Sequence, residues 1–169
     1  MIENDLSNEA LEALDEGLVA ADDKEWINYL KASHLADQGE IDEAVKLFSE
    51  LHKEFPNFAP AYTRTAKILT DQGEKDDAKA VYEAGLKALP TNEQILFDYC
   101  LLLSDMGDEE GALVGLRKLV SIAPENSTYL TYLGNTYLNL DFNGLALEAY
   151  LKANTIAKEN EDWIVSNYR

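Results

Sequence analysis

The sequence predicts an all-α chain of tandem helix-turn-helix units, and three observations predict it. Gly39, Gly73 and Gly107 recur every 34 residues. Pro56, Pro90 and Pro124 recur at the same interval, each 17 residues beyond a glycine. Small residues hold two further phases of that period, Ala32, Ala66, Cys100 and Gly134 on one and Ala44, Ala78, Ala112 and Ala146 on the other.

Each mark has a physical meaning. Glycine ends a helix by taking the left-handed conformation, and proline cannot continue one, so a unit reads as helix, tight turn, helix, stop. Between the marks, in the unit 59–92, the segments 60–72 and 76–89 carry apolar residues at three- and four-residue steps: Tyr62, Ala66, Leu69, then Ala78, Val81, Tyr82. That spacing is helical. Helices of three to four turns are marginal alone, so packing on neighbours must hold them. The small phases mark where two helices approach closely, and bulky residues at a third phase, Phe48, Tyr82, Leu116 and Tyr150, fill the space opposite.

In chain order, residues 1–25 hold nine acids against the single base Lys24. Leu6, Ala10, Leu14 and Leu18 recur every four residues there, behind a cap at Asp5 or Ser7, which predicts an acidic capping helix within 1–24. Its acids read either as a solvated outer face or as a recognition surface. Four units follow at 25–58, 59–92, 93–126 and 127–160, with no linker between them, so one continuous body is expected. In the first, Asn28 and Lys31 stand where the family that this repeat resembles usually places bulky apolar residues, which implies an offset or looser first helix. In the fourth, Asp141 replaces the turn glycine, with Gly144 three residues on, and Lys158 replaces the closing proline. Residues 161–169, with Trp163, Ile164 and Tyr168, start what reads as a cap or as the first helix of a further unit.

On these residues the stretch 25–160 resembles the tetratricopeptide repeat family, whose unit is a 34-residue helix-turn-helix with small residues at its packing points and a closing proline. The resemblance implies a right-handed α-solenoid whose first helices line a concave groove that holds a peptide or helix of a partner protein. Carried over phase by phase, the groove residues are Trp26, Tyr29, Ser33 and Asp37, then Thr63, Lys67, Thr70 and Asp71. The third unit adds Phe97, Leu101, Ser104 and Asp105, and the fourth Thr131, Asn135, Leu138 and Asn139. Some family members hold a chaperone's C-terminal carboxylate through lysine, arginine and asparagine on these helices. The matching residues, such as Thr63, Asp98, Thr128 and Tyr132, do not fit that role, so this class of binding is expected to be absent.

Charge narrows the partner. A net charge of −18, with 14 bases against 32 acids, disfavours nucleic acid and anionic membrane surfaces. A basic or amphipathic protein partner fits better. Asp37, Asp71 and Asp105 form a ladder in the last turns of the first helices, where negative charge opposes the helix dipole. The ladder reads either as solvated charge or as a face for a basic ligand. Trp26, Tyr29, Phe97, Leu101 and Leu138 read either as ligand-facing surface or as packing between helices.

No chemistry is expected. His34 and His52 lie 18 apart, and no Cys-x-x-Cys, His-Glu-x-x-His, calcium-loop, phosphate-loop or nucleophile-elbow spacing occurs. Neither metal nor cofactor is expected, and Cys100 reads as a buried core thiol. The start of the chain lacks a basic and apolar leader, and no stretch is long and apolar enough to span a membrane, so the expected location is the cytoplasm. The sequence therefore predicts a non-catalytic scaffold. The alternatives are a small repeat-type chaperone of export substrates and a self-associating homodimer.

Overall fold

The computed structural model describes residues 24–167, with side chains through residue 158. The expected capping helix at 1–24 falls outside the described residues except for Lys24, as do the side chains of Trp163, Ile164 and Tyr168. The described residues form eight helices. They are α1 (Lys24–Asp37), α2 (Ile41–Glu54), α3 (Ala59–Asp71), α4 (Lys75–Ala88), α5 (Glu93–Asp105), α6 (Glu109–Ile122), α7 (Ser127–Asn139) and α8 (Asn143–Asn167). The starts of α3, α5 and α7, and of α2, α4, α6 and α8, fall at the 34-residue interval of the sequence.

The turn inside each unit is a Schellman motif. Gly39, Gly73 and Gly107 take φ of 86°, 86° and 82°. Each glycine N–H donates to the carbonyl three residues back, and the next N–H reaches five back, as in Glu40 to Leu35 at 2.9 Å and Asp108 to Leu103 at 2.8 Å. In the fourth unit Asp141 itself takes the left-handed conformation, at φ 61°, and the same two bonds form: Asp141 to Leu138 at 3.0 Å and Phe142 to Tyr137 at 2.8 Å. The turn therefore stays at the glycine's register, and Gly144 lies within α8.

The proline stops also act as expected. Phe55, Leu89 and Ala123 leave the helical region at φ near −126° to −128°, because the proline that follows crowds the helical conformation of the residue before it. Lys158 removes that block, and α8 runs unbroken through residue 160 to Asn167. The new helix expected from residue 161 is thus a continuation of α8.

By their contacts the helices gather into two compact units, divided between Pro90 and Thr91. In unit 1, α1 pairs with α2 and α3 with α4, while α3 packs on both α1 and α2. Its core sets Ala32, Ala44 and Ala61 against Phe48, Leu51 and Ile68, all buried. Burying one such side chain as large as Phe48 contributes about 1.5–3 kcal/mol. The first helix keeps the common register despite Asn28 and Lys31, yet Ala32 is its one buried residue. In unit 2, α5 pairs with α6 and α7 with α8, and α6 packs on α7.

Both small-residue phases are buried, as their spacing requires. A Cβ on Gly134 would stand 2.7 Å from the Tyr150 ring, and one on Gly115 would stand 2.3 Å from Cys100 Sγ. Both glycines are close-approach points. Among the described residues no helix is long and apolar enough to cross a membrane.

Candidate functional site

The residues expected to line a groove lie on α1 and α3 in unit 1 and on α5 and α7 in unit 2. In unit 1 the aromatic residues form a cluster of their own. The Trp26 ring meets Phe58 edge-on at 4.8 Å and Tyr29 at 5.7 Å, and Tyr29 reaches Phe48 at 5.9 Å. Tyr29 packs on the core, whereas Trp26 remains 48 % exposed. Asp37 accepts a hydrogen bond from the Arg64 guanidinium on the next first helix, an ion pair between α1 and α3. The Thr63 hydroxyl donates to the Pro60 carbonyl at 3.1 Å. Ser33 Oγ is buried without a hydrogen-bond partner among the described residues, and Lys67 and Asp71 lie exposed on α3.

Unit 2 differs. Phe97 packs against Tyr129 at 5.1 Å and Tyr132 at 5.0 Å between ring centres. Beside them α5, α6 and α7 enclose a cleft of about 340 Å³. Leu101, Ser104, Asp105, Asn135 and Asn139, five of the residues expected in the groove, line it together with Tyr132. The inner wall is buried: Cys100, Leu116 and Thr136. Thr131 is not part of this cleft; its hydroxyl donates to the Ser127 carbonyl at 2.8 Å. Leu138, at 50 % exposure, also lies outside it.

Hydrogen bonds fix the polar rim. Asn135 Oδ1 accepts from the Tyr150 hydroxyl at 2.6 Å. Asn139 Nδ2 and Ser104 Oγ both donate to Glu109 Oε1, at 2.8 and 3.0 Å, and the second oxygen of Glu109 is buried without a hydrogen-bond partner among the described residues. Asp105 is the one acidic residue of the lining, and no lysine or arginine lines the cleft. Burial raises the pKa of the neighbouring Tyr129, and the carboxylates of Glu93 and Asp98 raise it further. Burial also pushes the Cys100 thiol up to about 12, so it stays protonated and unreactive.

The arrangement offers an apolar and aromatic wall ending in a carboxylate and two amides. Sequence reasoning missed Tyr132, Thr136 and Glu109 here. Tyr132 had a signal: it is the register mate of Arg64, 68 residues on, and so could have been compared with it directly.

Comparison with known proteins follows the same outline. The family model described as tetratricopeptide repeat matches residues 35–96. No curated protein matches the chain in sequence. Among solved structures, a MamA double mutant is 23 % identical, with a TM-score of 0.72 over 91 % of this chain and 86 % of that one. MamA from Desulfovibrio magneticus RS-1 is also 23 % identical, with a TM-score of 0.70 over 94 % of this chain and 89 % of that one. A further MamA crystal structure reaches a TM-score of 0.75 at 17 % identity, over 92 % of this chain and 91 % of that one. At such identities the likeness speaks for the fold alone. Over residues 35–96 the chain matches the tetratricopeptide repeat family, in agreement with the 34-residue register and the repeated turns.

Proposed function

We propose that the chain is a non-catalytic protein-interaction scaffold that captures a peptide or helix of a partner protein on the faces of its first helices. The observation that carries this reading is the cleft of unit 2, where Leu101, Asp105 and Asn135 come together around an opening of about 340 Å³ on a repeat fold. Apolar surface there contributes about 25 cal/mol for each Å² that a ligand covers.

The test is affinity capture from a lysate with the native chain and with a Leu101→Ala, Leu138→Ala variant. Phe97 is left intact because its ring packs on Tyr129 and Tyr132. Partners enriched by the native chain and lost from the variant, at unchanged helical content, support the scaffold. Equal enrichment by both chains removes the unit 2 face as the binding surface.

A second reading, self-association, is favoured by one observation. On α8, Leu147 and Leu151 are 59 % and 58 % exposed and lie one turn apart. Concentration-dependent mass in solution supports this reading, and a constant monomer mass rejects it.

A further inference from the structure

One face of α8 does not follow the repeat. Leu147 and Leu151 stand 59 % and 58 % exposed on it. At Leu151's register the earlier second helices carry Ser49, Glu83 and Arg117, so packing of one repeat on the next does not call for an apolar residue there. Together with Gly144 and Asn154 the two leucines follow a 3–4–3 spacing, which is the seam of a helix that pairs with another helix. All four residues are exposed.

From this geometry we infer that two copies of the chain pair through α8, side by side and antiparallel, with Leu147 of each against Leu151 of the other. The inference rests on the self-association reading and gives it a surface and a symmetry. The seam is self-complementary about its middle. A two-fold axis between Leu147 and Leu151 brings each leucine onto the other, and Gly144 onto Asn154. A Cβ built on Gly144 would meet no atom within 4 Å among the described residues beyond its own turn, so the asparagine amide has room there. The same axis lays Glu148 of one copy beside Lys152 of the other, and both residues are exposed on one flank of the seam.

Charge selects a second copy as the occupant. Residues 127–158 hold two acids, Asp141 and Glu148, and two bases, Lys152 and Lys158, a balance of zero in a chain of net charge −18. Two copies therefore meet here without the repulsion that their acidic stretches impose elsewhere. The ion pairs fix the antiparallel orientation, while the leucines supply most of the affinity. A seam of about three helical turns is a small interface, so the dimer is weak and reversible.

The test is sedimentation equilibrium of the full chain at concentrations up to about 1 mM, the range in which so small an interface still holds. The native chain is expected to pass reversibly from monomer to dimer. Leu151→Arg should weaken the dimer about 100-fold, at unchanged helical content because Arg117 already occupies that register on α6. Glu148→Lys reduces the net negative charge, yet should weaken the dimer about 5-fold by setting two lysines side by side. Adding Lys152→Glu to it should restore the native affinity.

A constant monomer mass over that range overturns the inference and the self-association reading together, and leaves the scaffold to the capture experiment. A dimer that persists in Leu151→Arg overturns the inference and leaves self-association standing on another surface. A dimer tightened by Glu148→Lys, or not restored in the double variant, overturns the antiparallel pairing.

Discussion

The two units build their junctions from the same register and arrive at different surfaces. In unit 1, α1 and α3 pack on each other and Arg64 closes the contact onto Asp37. In unit 2, Tyr132 takes the place of that arginine, and a cleft stands between α5 and α7. A repeat register fixes which positions meet, while the side chains at those positions decide whether the meeting is closed or open. The same contrast runs through the cores. At the first small phase unit 1 has the buried Ala32 and Ala66; unit 2 has Cys100 and Gly134, each matched by a compensating neighbour.

That compensation gives the largest effect. Fifteen residues past the small phase, unit 1 carries Leu47 and Val81, whereas unit 2 carries Gly115 opposite the larger Cys100. Gly115→Ala puts a Cβ 2.3 Å from a buried sulfur, and overpacking of this kind costs about 1–3 kcal/mol. Chemical denaturation should show that loss. Adding Cys100→Ala should reverse it, leaving a gain of up to about 1 kcal/mol from alanine's better helix propensity. A loss that persists in the double variant would refute the pairing.

Helix starts separate the units next. In unit 2 all three capped starts use side chains: Asn92 accepts from the Ile95 N–H at 2.9 Å, Asp108 from Gly111 at 2.9 Å and Asn126 from Thr128 at 3.0 Å. In unit 1 the residues before α2, α3 and α4, namely Glu40, Phe58 and Glu74, make no such bond. Asn126→Ala should cost about 1 kcal/mol. Glu74 and Asp108 have similar backbone angles, −81° and 59° against −85° and 70°, so Glu74→Asp should carry the cap into unit 1 and gain a few tenths to about 1 kcal/mol. Thermal midpoints of the two variants check both signs.

A third difference titrates. His52 of α2 stacks on Tyr62 of α3, with ring centres 4.2 Å apart and planes 2° from parallel, where unit 2 has Val120 and Leu130 in the same register. Burial lowers the His52 pKa below its ordinary 6.5, partly offset by a hydrogen bond with the Ala61 backbone. Between the lowered value and about 6.5 the unfolded chain binds more protons than the folded one, so this contribution is fully present above that range and is lost as pH falls through it. Because 32 acids titrate as well, the measurement is the stability difference between the native chain and His52→Phe at pH 8 and pH 5. The variant should gain relative to the native chain at pH 5; a constant difference rejects the burial of His52.

Much of this was legible in the sequence, because a repeat writes its constraints several times. Glycines at φ of 82° to 86° and prolines after the second helices of the first three repeats are demanded by backbone sterics, and so were read from spacing alone. Asp141 shows the limit. An aspartate tolerates the left-handed conformation, so the turn survived a change of residue that left the sequence reading open. Lys158 shows another, since the loss of a stop signal does not reveal where a helix ends. The candidate site was half legible. Phase placed Leu101, Asp105 and Asn135 on one face, but the aromatic packing of Trp26 and Tyr29 on Phe58 depends on a loop residue outside the periodic pattern. The cleft itself depends on Tyr132 being where Arg64 would be, a pairwise fact that periodicity does not contain.

The smallest expected effect tests that pairwise fact. The Asp37–Arg64 pair is largely exposed, at 65 % and 28 % for the two side chains, so removing it with Arg64→Leu should cost well under 1 kcal/mol, and less at high salt. Tyr132→Arg should likewise leave global stability nearly unchanged, because Tyr132 is 37 % exposed and meets Phe97 edge-on. The informative readout is therefore local. Hydrogen exchange at the C-terminal turn of α1 should quicken in Arg64→Leu, since the aspartate there opposes the helix dipole once its cation is gone. At the end of α5 it should slow in Tyr132→Arg, where a new guanidinium reaches Asp105. Opposite changes at the same register position in the two units would establish that one residue type decides between a closed junction and an open cleft; matching changes would show that the backbone decides it.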